Sequence, residues 1–223
     1  MTSEEIVSRL LYRDALMLVI DKPAGLPVHP GPGGGDTLVR HLDALRFGLP
    51  RRPEAAHRLD RDTSGCLVLG RHPKALATLN DLFRRSLVDK TYWAVVEGGP
   101  AEPEGEIDLA LGPRPGQTWR MRPDPAGQPA LTRWRVLGRA PPLALLELSP
   151  VSGRTHQLRV HCAAAGWPIL GDGIYGSAPR RGGPGLHLHA RAVTVPLYPK
   201  KPAIRVEAPV PPHMEAAVKA ARA

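Results

Sequence analysis

The sequence is poor in aromatic residues and in cysteine. Phe, Tyr and Trp together make up 4% of the 223 residues, which argues against a broad surface on which nucleobases stack. The only two cysteines, Cys66 and Cys162, lie far apart in apolar segments. We therefore expect reduced core residues and neither a disulfide nor a metal site.

Targeting and membrane-spanning segments are also missing from the sequence. The first seventeen residues, Met1 to Met17, lack the basic start and the apolar run of a signal peptide. No stretch approaches the roughly 20 apolar residues that a membrane-spanning helix needs. These absences predict a cytoplasmic protein that does not associate with a membrane.

Acidic residues are outnumbered in this chain. There are 21 acidic residues against 30 Lys and Arg, which gives a net charge of +9. An excess of this size favours a polyanionic partner, and nucleic acid is the commonest one. A basic surface without such a partner would give the same count, so charge alone leaves both interpretations open.

Glycine and proline, in contrast, are abundant, with 23 and 26 residues. Many turns and few long helices follow from this composition. Apolar segments predict strands at 16–20, 55–59, 66–69, 92–97, 107–111, 130–137, 143–148, 193–196 and 204–207. Helical patterns occur at 3–11, 36–47, 73–86, 155–165 and after 212. Without regular βαβ alternation, this order predicts an α+β fold with a mixed, mainly antiparallel sheet, flanking helices and one domain over residues 1–223.

One polar cluster, His57 to Gly65, lies between two of the predicted strands. It brings two carboxylates, Asp60 and Asp62, next to two arginines. A loop beside buried strands can hold a carboxylate in a cleft, with its ionisation controlled by a neighbouring guanidinium. A surface turn in which Asp62 and its neighbours cap backbone groups fits the same residues.

The segment Ser152 to His161 is a second polar cluster. Thr155 is predicted to cap a helix, which places Arg159 where its guanidinium can orient a carboxylate. The two histidines, His156 and His161, are five residues apart and do not share a helix face as an i, i+4 metal-binding pair would. A metal site is therefore not expected.

Two further segments bear on chemistry. In the predicted strand around Tyr92, alternation places this tyrosine on one face with Ala94 and Val96. A tyrosine at such a position serves either the core or a catalytic site. The glycines of 31–35 are followed by no Gly-Lys-Ser/Thr, so neither a phosphate loop nor a nucleotide cofactor is predicted.

Taken together, these strings closely resemble the RluA-type pseudouridine synthases. The resemblance extends in order over nearly the whole chain, and its longest strings are specific. It consists of Val19 to His29, His57-Arg58-Leu59-Asp60 with Thr63-Ser64-Gly65, Lys90 and Tyr92, Gly153 to His161, Pro168 to Asp172, and Tyr175-Gly176.

The resemblance implies a role for each matching residue. Asp60 matches the catalytic aspartate, Tyr92 the active-site tyrosine that packs on the uracil, and Arg159 the arginine that pairs with the aspartate. Arg58 matches the arginine that enters the RNA stack where the target nucleotide leaves. Substrate contacts are also implied for His57 and Leu158, in a fold with a basic active-site cleft.

The resemblance also implies the substrate and the reaction. Uridine in structured RNA, either ribosomal RNA (23S) or transfer RNA, would be isomerised to pseudouridine without a cofactor or a metal. We expect a minimal form without an S4 RNA-binding domain, acting as a monomer with no obligate protein partner. Two alternatives are a nucleoside hydrolase or glycosylase, which uses a carboxylate at the same carbon but admits water, and a catalytically silent RNA-binding protein.

Overall fold

The structure, a computed structural model, describes residues 1–31, 34–180 and 182–222. Pro32 and Gly33, in the glycine-rich segment where no phosphate loop is expected, lie outside the described residues. The described part contains two short 3₁₀ helices, Leu38–Arg40 and Leu42–Leu45. The remaining elements are α1 (Ser3–Ser8), β1 (Leu10–Arg13), β2 (Met17–Lys22), β3 (Glu54–Ala55), β4 (Ser64–Gly70), α2 (Pro73–Arg84), β5 (Asp89–Glu97), β6 (Glu104–Asp108), β7 (Leu111–Arg114), β8 (Gln117–Pro123), β9 (Leu131–Ala140), β10 (Leu143–Pro150), α3 (Gln157–Ala164), β11 (Leu188–Val195), β12 (Ile204–Glu207) and α4 (Pro212–Arg222).

The chain divides into two compact units. The first comprises Met1–Lys90 with Ala190–Pro209, and the second comprises Thr91–His189 with Val210–Ala223. The sequence predicts a single catalytic domain over residues 1–223, and this remains a prediction.

The first unit is built on strand β2. Strands β1 and β4 pair with β2 on either side, both antiparallel, and β12 pairs antiparallel with β11. Four consecutive residues of β2, Met17 to Ile20, are fully buried, because side chains of a strand alternate between faces and both faces of β2 are covered. On one face, Met17 and Val19 pack with Cys66, Val68 and Leu79.

The second unit has β10 at its centre, with β5 and β9 as antiparallel neighbours and β6 beyond β9. Its core follows the alternation of β5. Ala94 and Val96 belong to the cluster that includes Leu158 of α3, whereas Trp93 and Val95 pack with Met214 of α4. Strands β7 and β8 form a separate antiparallel hairpin. The predicted α+β class with a mainly antiparallel sheet and flanking helices is confirmed.

Helix α1 differs from its predicted extent over 3–11. The N-cap of α1 is Thr2. Its side chain accepts a hydrogen bond from the amide of Glu5, and the Glu5 side chain accepts one from the amide of Thr2, which is a capping box. The helix ends at Ser8 because residues 10–13 pair with β2 as a strand. The short apolar run Leu-Leu-Tyr is compatible with both the helical and the strand periodicity. Its pairing with β2 makes it a strand.

The cysteines and the helices bear on two further expectations from the sequence. Cys66 and Cys162 are buried free cysteines, as predicted. Among the residues that the structure describes, no helix combines the length and the apolar character that crossing a membrane requires.

Candidate active site

His57 fixes the start of the Asp60 loop to strand β4. Its Nε2 accepts a hydrogen bond from the amide of Val68 at 3.0 Å, and its ring stacks on Phe83 with centroids 4.3 Å apart. Burial, and then the charge of Lys90, lower the pKa of His57 to about 3, so the ring is neutral at physiological pH. These contacts anchor the loop, and the predicted substrate contact of His57 remains a prediction.

Asp60 lies in a tight turn that leads into β4. Its carbonyl oxygen accepts a hydrogen bond from the amide of Thr63 at 3.2 Å, and Asp60 itself is half-buried. Asp62 is half-buried as well; its side chain is 47% exposed and lies 3.5 Å from the exposed Arg61. The two carboxylates thus differ in that Asp62 pairs with the neighbouring arginine of the turn. Arg58, on the same loop, is exposed.

Gly65 allows this turn to pass close to strand β11. Its φ is +104°, and a Cβ at this position would lie 2.3 Å from the carbonyl oxygen of Ala190. Both the left-handed backbone and the contact require glycine. The glycine of the Thr63-Ser64-Gly65 string is thus explained by packing.

Lys22 joins the Asp60 turn to the loop after β2. Its side chain is fully buried, and its Nζ donates hydrogen bonds to the carbonyl oxygens of Pro23 and Leu26, both at 2.8 Å, and of Arg61 at 3.0 Å. All three hydrogens of the ammonium group are thereby used. Lys22 thus fixes the backbone beside Asp60.

The charge state of Lys22 reflects two opposing effects. Burial lowers its pKa from 10.5 to about 8. The carboxylates of Asp62 and Asp60 limit this change because their negative charge favours the ammonium form. Lys22 is therefore charged at pH 7 and supplies a buried positive charge near Asp60.

Replacing Lys22 by methionine is expected to reduce stability in a pH-dependent way. Three partly buried carbonyl oxygens lose their donor at about 1–2 kcal/mol each, against roughly 3 kcal/mol recovered from no longer burying the charge. We expect Lys22→Met to lower the free energy of unfolding by up to about 3 kcal/mol at pH 7, measured by urea denaturation.

The pH dependence gives the sharper test of Lys22. Between pH 8 and 10.5 the unfolded wild type binds one more proton at Lys22 than the folded form, so folding is favoured as the pH rises. The stability difference between wild type and Lys22→Met should grow there by about 1.4 kcal/mol per pH unit. A constant difference across this range would show that the pKa of Lys22 is not lowered.

Tyr92 lies on strand β5 in the second unit. It stands opposite Leu148 of β10 and packs, half-buried, against the cluster that contains Leu158 and Cys162. Its ring thus has one side in the core. Leu158 is 7% exposed within the same cluster, so its described contacts are those of a core residue, and its substrate contact stays a prediction.

Arg159 forms a buried ion pair with Asp172. Its Nε and Nη2 donate to the two carboxylate oxygens of Asp172, each at 2.8 Å, and the two side chains are 5% and 1% exposed. Asp172 Oδ1 also accepts hydrogen bonds from the amides of Ile174 at 2.8 Å and Tyr175 at 3.0 Å. This bidentate geometry fixes the plane of the guanidinium.

The ionisation of Asp172 follows from these contacts. Burial alone would raise the pKa of its carboxyl group, but the hydrogen bonds and charge of Arg159, together with the two amides, bring it below its ordinary value. Asp172 is therefore negatively charged at neutral pH and balances the charge of Arg159.

Tyr175 and His156 complete this cluster. The guanidinium of Arg159 lies 5.3 Å from the centroid of the Tyr175 ring, close enough for a cation–π interaction. The Tyr175 hydroxyl accepts a hydrogen bond from the amide of Met121 at 2.9 Å and shares another with His156 Nδ1 at 2.8 Å. His156 has a left-handed φ of 55° and precedes α3 without a side-chain cap. The predicted cap by Thr155 is therefore wrong.

The remaining polar residues of this string hold α3 in place. Gln157 Oε1 accepts from Ser152 Oγ at 2.7 Å, and Gln157 Nε2 donates to Thr132 Oγ1 at 3.0 Å. His161 bonds through Nδ1 to the same threonine hydroxyl at 2.9 Å and through Nε2 to the carbonyl of Leu109 at 3.1 Å. Over residues 1–31, 34–180 and 182–222, no three His, Cys, Asp or Glu side chains group in a way that could hold a metal ion.

The predicted catalytic residues thus occur in both units. Asp60 belongs to the first unit, and Tyr92 and Arg159 belong to the second. The roles of Lys22, Asp172 and Tyr175 were missed, although all three stand in the strings that carry the resemblance. A lysine two residues after the apolar run of 16–20 was an available signal, since burying an unpaired charge is costly.

Comparison with known proteins identifies the family. A sequence model of RNA pseudouridylate synthases matches residues 16–164, which is more than half of the chain. The chain belongs to this family. The predicted RluA-type synthase is confirmed, and the protein is an isomerase that acts on RNA.

Individual members of the family cover most of the chain. An uncharacterized RNA pseudouridine synthase of Zymomonas mobilis is 44% identical over 211 residues, which cover 92% of this chain and 95% of that protein. The ribosomal large subunit pseudouridine synthase D of Nitrosomonas europaea is 39% identical over 177 residues, covering 78% and 51%. The solved structure of human RNA pseudouridylate synthase domain containing 4 has a TM-score of 0.82 at 28% identity and covers 99% of this chain and 95% of its own.

Proposed function

We propose that this synthase converts uridine to pseudouridine in ribosomal or transfer RNA, with Asp60 as its catalytic carboxylate. The observation that carries the assignment to Asp60 is its turn, which Lys22 fixes through the carbonyl of Arg61. Asp62 on the same turn has a carboxylate that pairs with the exposed Arg61. The fixed backbone of the turn suits Asp60 for a preorganised role.

The reaction breaks the N1–C1′ bond, turns the uracil and joins C5 to C1′. In the proposed mechanism the ionised Asp60 acts as the nucleophile or removes a proton at C2′. The hydrogen at C5 leaves as a proton, for which Tyr92 is the candidate base. The isomerisation transfers no net electrons, so it needs no redox cofactor.

Arg159 and Arg58 have supporting roles in this proposal. We propose that Arg159, itself oriented by Asp172, is the arginine that pairs with the catalytic carboxylate, as the family resemblance implies. A uridine in a duplex must be flipped out, at a cost of a few kcal/mol. Arg58, which is exposed, would offset part of this cost by filling the vacated place in the stack, with His57 and Leu158 as further substrate contacts.

Ribosomal RNA is the first substrate to test. Its support is the name of the Nitrosomonas relative, a ribosomal large subunit synthase, and the net charge of +9, which suits binding to phosphates. Pseudouridine should be mapped in large-subunit ribosomal RNA and in transfer RNA from cells with and without the gene. Loss of specific sites identifies the substrate, and unchanged maps in both RNAs would contradict the proposal.

We further propose that the protein works in the cytoplasm as a monomer, without an obligate protein partner, metal or cofactor. The purified protein should then be fully active in excess EDTA on a stem-loop that folds without divalent ions. Light scattering should report one chain per particle. Activity that requires an added metal or a second protein would contradict this proposal.

A further inference from the structure

Trp119 differs from the other tryptophans of the chain in its exposure. Its surface is 50% accessible, whereas Trp93, Trp134 and Trp167 are 7–9% exposed and belong to the core. Tryptophan is enriched at binding interfaces, because its large ring can bury apolar area there while its N–H still finds a hydrogen-bond partner. The ring lies on β8, within the hairpin of Leu111 to Pro123.

The hairpin is held firmly enough to present this ring. Arg120, next to Trp119, donates a hydrogen bond to the carbonyl of Ile174 and lies 5.5 Å from the ring centroid of Tyr175. The amide of Met121 donates to the Tyr175 hydroxyl at 2.9 Å. These contacts join β8 to the segment that also carries Asp172, so Trp119 stands on an ordered strand.

The surroundings of Trp119 are positively charged. The guanidinium of Arg180, an exposed residue, lies 5.9 Å from the ring centroid of Trp119. The hairpin contains three arginines, Arg114, Arg120 and Arg122, and no acidic residue, although Arg122 pairs with Asp124 directly after the hairpin. Arg154 lines a cavity of about 400 Å³ together with Met121, so positive charge continues from the hairpin to the residues before α3.

We propose that Trp119 and Arg180 form a stacking site for an unpaired nucleobase of the RNA substrate, other than the target uridine. An aromatic ring beside arginines is the combination that binds single-stranded RNA, because every base has a face that can stack and each phosphate attracts a guanidinium. This inference rests on the proposed function, which makes RNA the substrate. It adds to that proposal a location on the protein where an unpaired part of the RNA binds.

Tryptophan fluorescence tests the site directly, since three of the four tryptophans are buried. Single-stranded oligouridylate should quench the fluorescence of the wild type, and Trp119→Phe should abolish the quenching while keeping affinity within about threefold, because phenylalanine still stacks. Trp119→Ala and Arg180→Ala should each weaken binding, Trp119→Ala by about tenfold or more. A blunt RNA duplex should not quench.

The matched control removes an arginine elsewhere. Arg205→Ala deletes a side chain that is 55% exposed and paired with Glu207, and it should leave oligouridylate affinity unchanged within about twofold. Quenching that persists in Trp119→Phe, or wild-type affinity in Trp119→Ala with an unchanged melting temperature, would overturn the inference.

Activity separates this inference from the proposed function. On a stem-loop substrate, Trp119→Ala should raise KM by about tenfold or more while kcat stays within about threefold, because the lost contact binds ground state and transition state alike. An active wild type with an unchanged KM in Trp119→Ala would reject the stacking site and leave the synthase intact. A wild type that binds RNA but forms no pseudouridine would reject the proposed function alone.

Discussion

Asp60→Asn is expected to lower kcat by at least about a thousandfold while the fold and the affinity for RNA stay nearly unchanged. Asparagine has the size of aspartate but can neither attack the sugar nor accept its proton. The turn itself should survive, because it uses the backbone carbonyl of Asp60 to accept the amide hydrogen of Thr63. Single-turnover formation of pseudouridine measures the loss, and the Kd of the variant for the same RNA reports binding.

Asp62→Asn is the matched control for this prediction. Asp62 lies two residues away on the same turn, and its side chain is 47% exposed beside an exposed arginine. Removing its charge should change kcat by no more than about threefold, because exposed pairs contribute little. Asp60→Asn with turnover within tenfold of wild type would remove Asp60 from the catalytic role, and a large loss in Asp62→Asn would transfer the role to its neighbour.

Asp172→Asn is expected to destabilise the protein by about 3–5 kcal/mol. The substitution removes the charge of Asp172 from beside the buried guanidinium of Arg159. It preserves the acceptor for the amides of Ile174 and Tyr175 but turns a donor towards Arg159 Nε, where Asp172 Oδ2 now accepts at 2.8 Å. Below the melting temperature of the variant, kcat should also fall, because the orientation of Arg159 is lost.

Glu106→Gln isolates the effect of burial in this comparison. Glu106 pairs with Arg133 at the same 2.8 Å, but the arginine and glutamate side chains are 63% and 54% exposed. Loss of this exposed ion pair should lower the free energy of unfolding by less than about 1 kcal/mol. Equal losses in Asp172→Asn and Glu106→Gln would show that burial of the Arg159 pair adds nothing.

The pH dependence of the Asp172 pair has a defined direction. The folded-state pKa of Asp172 is lowered, so the stabilisation is complete above the unfolded value of 3.8 and declines as the pH falls through the folded value. The stability difference between wild type and Asp172→Asn should be constant from pH 5 to 8 and shrink only in stronger acid.

Local pattern predicted most of the strands but not where several begin or end. The strand at Ile204–Glu207 has the predicted bounds, because its apolar alternation is bounded by turn residues. Strand β11 begins at Leu188, five residues before the predicted start. The prediction starts late because His189 and Arg191 interrupt the apolar pattern of the sequence. His189 is nevertheless fully buried. Tertiary packing places polar side chains in this strand, and single-sequence periodicity does not register that.

The family resemblance predicts candidate site residues but not their partners. Resemblance to the family pointed to Asp60, Tyr92 and Arg159, whose roles stay proposals. The carboxylate that orients Arg159 is thirteen residues further along the chain, and no spacing rule links a residue of α3 to the loop after it. The three backbone carbonyls that bind Lys22 could not be predicted either, because loop geometry places them.

Tritium release from RNA labelled at C5 of uridine tests the proposed reaction most directly. If the new bond forms at C5, one hydrogen leaves that carbon for every pseudouridine made. The base stays attached to the RNA, so no abasic site is formed. We predict one-to-one release of tritium and formation of pseudouridine by the wild type, and neither with Asp60→Asn. Free uracil with alkali-labile abasic sites and no tritium release would contradict isomerisation and identify a glycosylase.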